Sequence, residues 1–219
     1  MARPKPRTAL RRRGPLREPY DRVLIVCEGS KTEPNYLREL IAHYQLSSAN
    51  VEIFGDGGSA PQSVVEYAIE LFESDPDYNS VFCVIDRDGH AQFDQAVQRV
   101  RDKTLTRRNG KHKIGTARFE AIASIPCFEY WVLLHFEETT APMPRFAQVL
   151  PRLRAVPALR DYDKGARGLF ALTRDRLALA LARTDRVNQA ASDAGTDNPT
   201  TQVPVLIRYL QELAAKKKQ

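Results

Sequence analysis

Short apolar runs alternate with stretches of helical spacing along the first two thirds of the chain. Val23-Leu24-Ile25-Val26-Cys27, Val51-Glu52-Ile53-Phe54 and Val81-Phe82-Cys83-Val84-Ile85 each have the length and β-branched content of a buried strand. Between the first two, Tyr36, Leu37, Leu40, Ile41 and Tyr44 recur as one helix face. Ser30 or Thr32 is placed to cap that helix, with Pro34 in its first turn. A second helix starts at Ser59 and Pro61, with Val64, Val65, Ala68, Ile69, Leu71 and Phe72 as its stripe. A third covers about 91–104, with Phe93, Ala96, Val97 and Val100 on one face. Arg118 to Ser124 alternates like a fourth strand. Cys127 to Phe136 is apolar all round and reads as a buried helix.

From Thr139 the pattern changes. Pro142, Pro144, Pro151 and Pro157 should divide short helical pieces, a long Ala/Leu/Arg helix is expected over about 165–188, and a last helix over about 201–215. The order β-α-β-α-β-α-β-α followed by helices predicts an α/β fold with a mainly parallel sheet of about four strands and a helical C-terminal portion. The expected organisation is a basic arm over 1–20, an α/β domain over 21–138, and a helical portion over 139–219 packed on it.

Charge adds one feature. The chain carries a net +6, and residues 1–20 alone account for it with seven Lys/Arg against one Glu. The rest balances, so the basic pI reflects the tail rather than a basic globule. Such an arm suits nucleic-acid contact or solubility equally. The turn Arg107-Arg108-Asn109-Gly110-Lys111-His112-Lys113 is a second basic cluster, with Asn-Gly marking its tip. No apolar run is long enough for a membrane span and no secretory signal is visible. Cys27, Cys83 and Cys127 have no paired spacing, so buried free thiols and a cytoplasmic setting are expected.

Candidate chemistry lies where strands end. Asp86 and Asp88 follow the third strand, at the sheet edge where open α/β folds bind ligands. If extended, they point the same way, and two carboxylates about 6 Å apart repel by roughly 2–3 kcal/mol at an effective dielectric of about 20. A divalent cation converts that repulsion into binding, and oxygen donors suit Mg²⁺ or Mn²⁺. Glu28 ends the first strand and should sit on the same edge, as a metal ligand or as the group that moves a proton. Gly29-Ser30-Lys31-Thr32 lacks the spacing of a P-loop, and Gly55-x-Gly57 follows the wrong strand for a dinucleotide fingerprint. Glu129, in an apolar helix, must pair with a cation or join the metal site, because a lone buried carboxylate is costly. His135 shares a helical face with Phe128, Trp131 and Val132 and reads as a hydrogen-bonded core histidine. Lys164 is a candidate phosphate contact or a plain loop lysine.

Three segments together resemble the RloB-like family of bacterial proteins, which is associated with restriction and abortive infection and has a Toprim-like fold. They are Ile25 to Tyr36 (with Glu28-Gly29-Ser30-Lys31-Thr32-Glu33-Pro34), Asp86-Arg87-Asp88, and Pro126-Cys127-Phe128-Glu129-Tyr130-Trp131 with Leu133-Leu134-His135-Phe136. Tyr162-Asp163-Lys164-Gly165 and Asn198-Pro199-Thr200-Thr201 are weaker echoes. The resemblance implies a Mg²⁺- or Mn²⁺-dependent nuclease with Glu28 as general acid/base and Asp86 and Asp88 as metal ligands. Glu129 is a further catalytic candidate. Lys31, Arg107, Arg108, Lys111, Lys113 and Lys164 are the candidate nucleic-acid contacts. A non-catalytic nucleic-acid or partner-binding subunit of a defence system, or a nucleotide-processing enzyme using the same carboxylates, remains open beside it.

Overall fold

The structure is a computed structural model and describes residues 21–46, 51–55, 57–58 and 60–217. The basic arm over 1–20, Ser59 and Lys218 lie outside the described residues. Five strands form one path: β1 (Val23–Cys27), β2 (Val51–Phe54), β3 (Ser80–Asp86), β4 (Leu105–Asn109) and β5 (His112–Ile125), in the order β2-β1-β3-β5-β4. The four expected strands pair in parallel, with Ile25 opposite Ile53 and Phe82, and Ser124 opposite Asp86. A two-residue strand, β6 (Thr200–Thr201), pairs antiparallel with the end of β5.

Burial on both faces explains the continuous apolar runs. Val23, Ile25, Cys27, Phe82 and Val84 belong to one core, while Leu24, Val26, Val81, Cys83 and Ile85 belong to the other. Helices α2 (Pro61–Ser74) and α3 (Phe93–Asp102) cover the second face. Helix α1 (Thr32–His43), the wholly buried α4 (Phe128–Leu134) and the C-terminal helices cover the first. Leu153, Leu177, Val187 and Ile207 therefore share one core with β1 and β3. Cys27, Cys83 and Cys127 are buried free thiols. Among the described residues, no helix is long and apolar enough to cross a membrane.

Four local expectations change. Neither Ser30 nor Thr32 caps α1; Lys31 occupies the cap position without a side-chain bond, and the Thr32 hydroxyl instead accepts the Gly165 N–H at 2.9 Å. Pro151 lies inside α5 (Phe146–Ala155) rather than at a boundary. The long helix expected over 165–188 is two helices, α6 (Leu169–Thr173) and α7 (Leu177–Asp193), joined by a 3-10 turn at Arg174–Arg176. The Thr173 hydroxyl bonds back to the Leu169 and Phe170 carbonyls there, the local competition that makes threonine a poor helix interior. The last helix, α8, is Val203–Lys216. Finally, the basic turn is the tip of the β4–β5 hairpin, and β5 extends well beyond the segment expected.

The glycines after β2 serve packing. A Cβ on Gly55 would stand 2.8 Å from Pro34 Cγ and 3.0 Å from Ser30 Cα, and one on Gly57 3.0 Å from the Cys27 carbonyl oxygen. The two turns that follow β1 and β2 are thus pressed together, which holds Glu28 and Gly29 in place. Gly55→Ala should lower stability by about 1–3 kcal/mol, the usual range for overpacking. Urea unfolding checks this, and an unchanged midpoint would contradict the close approach.

Candidate functional site

Chain path decides where the site forms. From β1 the chain moves outward to β2 through α1, then returns through α2 to β3 on the other side of β1. The carboxyl ends of β1 and β3 therefore flank a topological switch point, where diverging loops leave a crevice. Glu28 follows β1 and Asp86 ends β3. The Asp86 N–H donates to Glu28 Oε2 at 3.1 Å, and Glu28 Oε1 lies 3.0 Å from His90 Nε2.

Other elements bring further carboxylates. Glu33, in the first turn of α1, folds back so closely over Gly29 that a Cβ there would meet its Oε2 at 2.5 Å. Glu129, in the first turn of α4, is 2 % exposed. Its Oε1 accepts the Tyr162 hydroxyl at 2.9 Å, whereas Oε2 is buried with no hydrogen-bond partner. Asp88 Oδ1 accepts the Phe146 N–H at the start of α5, at 2.9 Å. Lys164 stands over the Phe146 ring, its Nζ 4.3 Å from the centroid.

The electrostatics follow from burial and crowding. Desolvation pushes the Asp86 carboxyl well above the usual carboxylate range, and Glu33, Glu129 and Glu28 add to it, against the Phe128 amide, which favours the charged form. Glu33 is pushed up to about 7 by burial and by Glu129 and Glu28, opposed by its own backbone amide and by Lys164. Glu28 is also raised, mainly by burial, with the Asp86 amide, His90 and Lys164 pulling it back. Burial would lower Lys164, but Glu129, Cys127, Asp86 and Asp88 outweigh it and hold the ammonium charged. The site is an acidic floor carrying more negative charge than it can comfortably ionise.

Residues 23–210 match the family described as RloB-like protein. The chain belongs to the RloB-like family. No curated protein and no solved structure matches this RloB-like chain.

The structure brings Glu28, Asp86, Asp88 and Glu129 together with Lys164, and places Lys31 beside them. The aliphatic part of Lys31 packs against Gly165, where a Cβ would meet its Cδ at 2.8 Å. Arg107, Arg108, Lys111 and Lys113 are elsewhere. They sit on the β4–β5 hairpin, beyond the opposite end of β3. From His112 to Ser124, at about 3.3 Å per residue, β5 covers roughly 40 Å. Arg107 there pairs with Asp77 at 3.4 Å. Arg87 points away from the cluster to Asp197, at 2.7 Å. His135 is a core residue: fully buried, its Nδ1 is 3.0 Å from the Trp131 carbonyl oxygen and its pKa is lowered to about 4 by burial.

Three members of the site were not singled out from the sequence. Glu33 was legible as an acid inside the Glu28–Pro34 segment, one residue before a proline that fixes the first turn. Tyr162 was part of a weak echo, and its partner Glu129 lies too far along the chain for any local signal. His90 has no sequence signal beyond following Asp88 by two positions. Gly165, in the first echo, bonds to Thr32 beside the site, and Thr201, in the second, is a buried partner of Ser124, with Oγ1 2.9 Å from Ser124 Oγ at the end of β5.

An all-oxygen donor set, with the Asp86 carboxyl raised by burial and by its acidic neighbours, matches a hard divalent ion in chemistry and charge. It is not a preset cage. Among the described residues, no three His, Cys, Asp or Glu side chains already form a metal-holding group. Glu28 is engaged by His90 and the Asp86 amide, and one Asp88 oxygen is taken by α5.

Glu33 yields a pH test. Its folded pKa, about 7, is above the free value of 4.5, so its contribution is fully present below pH 4.5 and is lost as pH rises through 7. Glu33→Gln should therefore be more stable than the native chain at pH 8, by on the order of 3 kcal/mol from a shift of this size, with the gap closing toward pH 5. Thermal unfolding across that range checks it; a pH-independent gap would contradict the assignment.

Proposed function

We infer that this RloB-like protein is a metal-dependent nuclease that hydrolyses nucleic-acid phosphodiesters with Mg²⁺ or Mn²⁺, on a Toprim-like arrangement of the α/β core. The observation that carries the reading is the meeting of Glu28, Glu33, Asp86, Asp88 and Glu129 at the switch point, with one buried Glu129 oxygen left unpartnered. A role in phage defence rests on the family resemblance alone.

Asp86, Asp88 and Glu129 are the residues to hold the ion. Bound there, it supplies neutralising charge at a phosphoryl oxygen and lowers the pKa of a bound water. Glu28 is the group to move a proton. Its carboxylate is oriented by the Asp86 amide and His90, and its raised pKa brings it nearer neutral pH, where exchange in both directions is effective. Lys164 offsets the negative floor and faces a phosphate with a fixed positive charge.

Purified protein incubated with single- and double-stranded DNA and RNA tests this. Cleavage should require Mg²⁺ or Mn²⁺ and fall at least about 100-fold in Asp86→Asn and Glu28→Gln, the scale of a lost catalytic group. Cleavage surviving in both variants comes from a contaminant, and binding without metal-dependent turnover assigns the non-catalytic role instead.

The hairpin is a second phosphate contact whose reach can be measured. At roughly 40 Å from the cluster, it meets the same duplex only if that duplex exceeds about 12 base pairs at 3.4 Å each. Replacing Arg108, Lys111 and Lys113 with alanine should weaken binding and reduce the salt slope for a longer duplex, but leave a shorter one unchanged. Equal effects at both lengths, or none at either, would remove the hairpin from this role.

A further inference from the structure

Beside the site, Arg87 is committed to a carboxylate, Asp197, at 2.7 Å. The three cations around the acidic floor differ. Lys31, Arg145 and Lys164 make no ion pair among the described residues, although carboxylates crowd the crevice between them.

Arg145 and Lys31 are held by a seat rather than by a counter-charge, and Lys164 has an aromatic seat within the field of Glu129, Asp86 and Asp88. Arg145 lies across Gly89, the residue between Asp88 and His90: a Cβ on Gly89 would meet Arg145 Nη1 at 2.6 Å, Cζ at 2.9 Å and Nη2 at 3.1 Å. Lys31 lies across Gly165 in the same manner, with its Cδ 2.8 Å and its Cβ 2.9 Å from the position a Cβ would take. Both glycines are in the left-handed region, at φ +86 and +89, where a side chain is strained in any case. Lys164 sits on the Phe146 ring, a cation–π contact that fixes the ammonium without neutralising it. Seating a long cation costs side-chain entropy. A carboxylate would repay that cost in a structural role, but these three leave their charge available to an external anion.

We propose that Arg145, Lys31 and Lys164 form a three-cation clamp that binds successive phosphates of an oligonucleotide across the acidic crevice, independent of its base sequence. The clamp rests on the nuclease reading of the site, and it adds Arg145 and the two glycine seats as the features that recognise the substrate backbone. Arg145 contributes the planar fork that matches phosphate oxygens, whereas the two lysines act as point charges. Successive phosphates held by the three cations lie above the carboxylates without having to displace them. The clamp is short, so it grips a few nucleotides, and the remote hairpin is not needed for it.

Binding without turnover tests the clamp. A fluorescently labelled single strand of about six nucleotides, DNA or RNA, is within the site size of such grooves. It is titrated into the native chain in EDTA, where metal-dependent cleavage cannot proceed. Three phosphate contacts on a single strand predict a slope of log affinity against log salt of about −2. Arg145→Ala should weaken binding roughly 5-fold at low salt and reduce that slope by about 0.7, while Arg145→Lys keeps the slope. Gly89→Ala unseats the guanidinium without deleting its charge, so it should weaken binding, with no further loss when combined with Arg145→Ala. Where Gly89→Ala fails to fold, the Arg145→Ala and Arg145→Lys pair decides.

Binding by Arg145→Ala at native strength and slope would overturn the proposal, as would the absence of any binding in EDTA. Cleavage with Mg²⁺ is read separately on the native chain. Oligonucleotide binding that follows Arg145 but shows no metal-dependent cleavage leaves the clamp standing and removes the nuclease reading. Metal-dependent cleavage with affinity indifferent to Arg145 does the opposite.

Discussion

Carboxylates forced together out of water are the constraint on which this structure turns. Asp86 is 8 % exposed and Glu129 2 %, and each raises the cost of ionising its neighbours. An isolated core gains nothing from such an arrangement: apolar residues of similar volume would be as stable or more so. The fold bears that cost and surrounds the cluster with partial remedies, namely the Tyr162 hydroxyl on Glu129, the Phe146 amide on Asp88 and the Asp86 amide on Glu28. None removes the excess charge. On the proposed reading, such a site gives a divalent ion and a cationic rim each a physical role.

Topology explains why the strain gathers at one place. The parallel order β2-β1-β3-β5 sends the chain to opposite sides of β1, so the turns after β1 and β3 diverge and open a crevice at their carboxyl ends. The glycines after β2 let the neighbouring turn press against Gly29 and Ser30. The C-terminal helices then close the crevice from the first face. Tyr162 and Lys164 come from the loop before α6, Phe146 from the start of α5, and β6 pins the end of β5 through Ser124 and Thr201. The helical portion thus completes the site rather than standing apart from it.

The four parallel strands, the fully buried α4 and the meeting of Glu28 with Asp86 were legible in the sequence, because each rests on a local pattern: an apolar or alternating run, or an acid directly after one; β4 and β6 were not. What escaped was non-local or locally ambiguous. Thr32 has the chemistry of a helix cap, but the Gly165 amide claims its hydroxyl from far along the chain. The Ala/Leu/Arg stretch after Gly165 has helical composition throughout, yet a 3-10 turn at Arg174–Arg176 interrupts it directly after Thr173. The basic run over 107–113 shows its charge plainly, but only the length of β5 shows how far from the acids that charge lies. Arg145 carries no motif at all; its position depends on a glycine that the sequence alone gives no reason to connect with it.

On the metal-dependent reading, the carboxylate cluster holds protons near neutral pH that a divalent ion would displace. Titration calorimetry of Mn²⁺ at pH 7, in two buffers of different ionisation enthalpy, measures both the binding and the protons released. The account predicts Mn²⁺ binding with net proton release, both lost in Asp86→Asn. Absence of binding, or binding without proton release that is unchanged in Asp86→Asn, would contradict it.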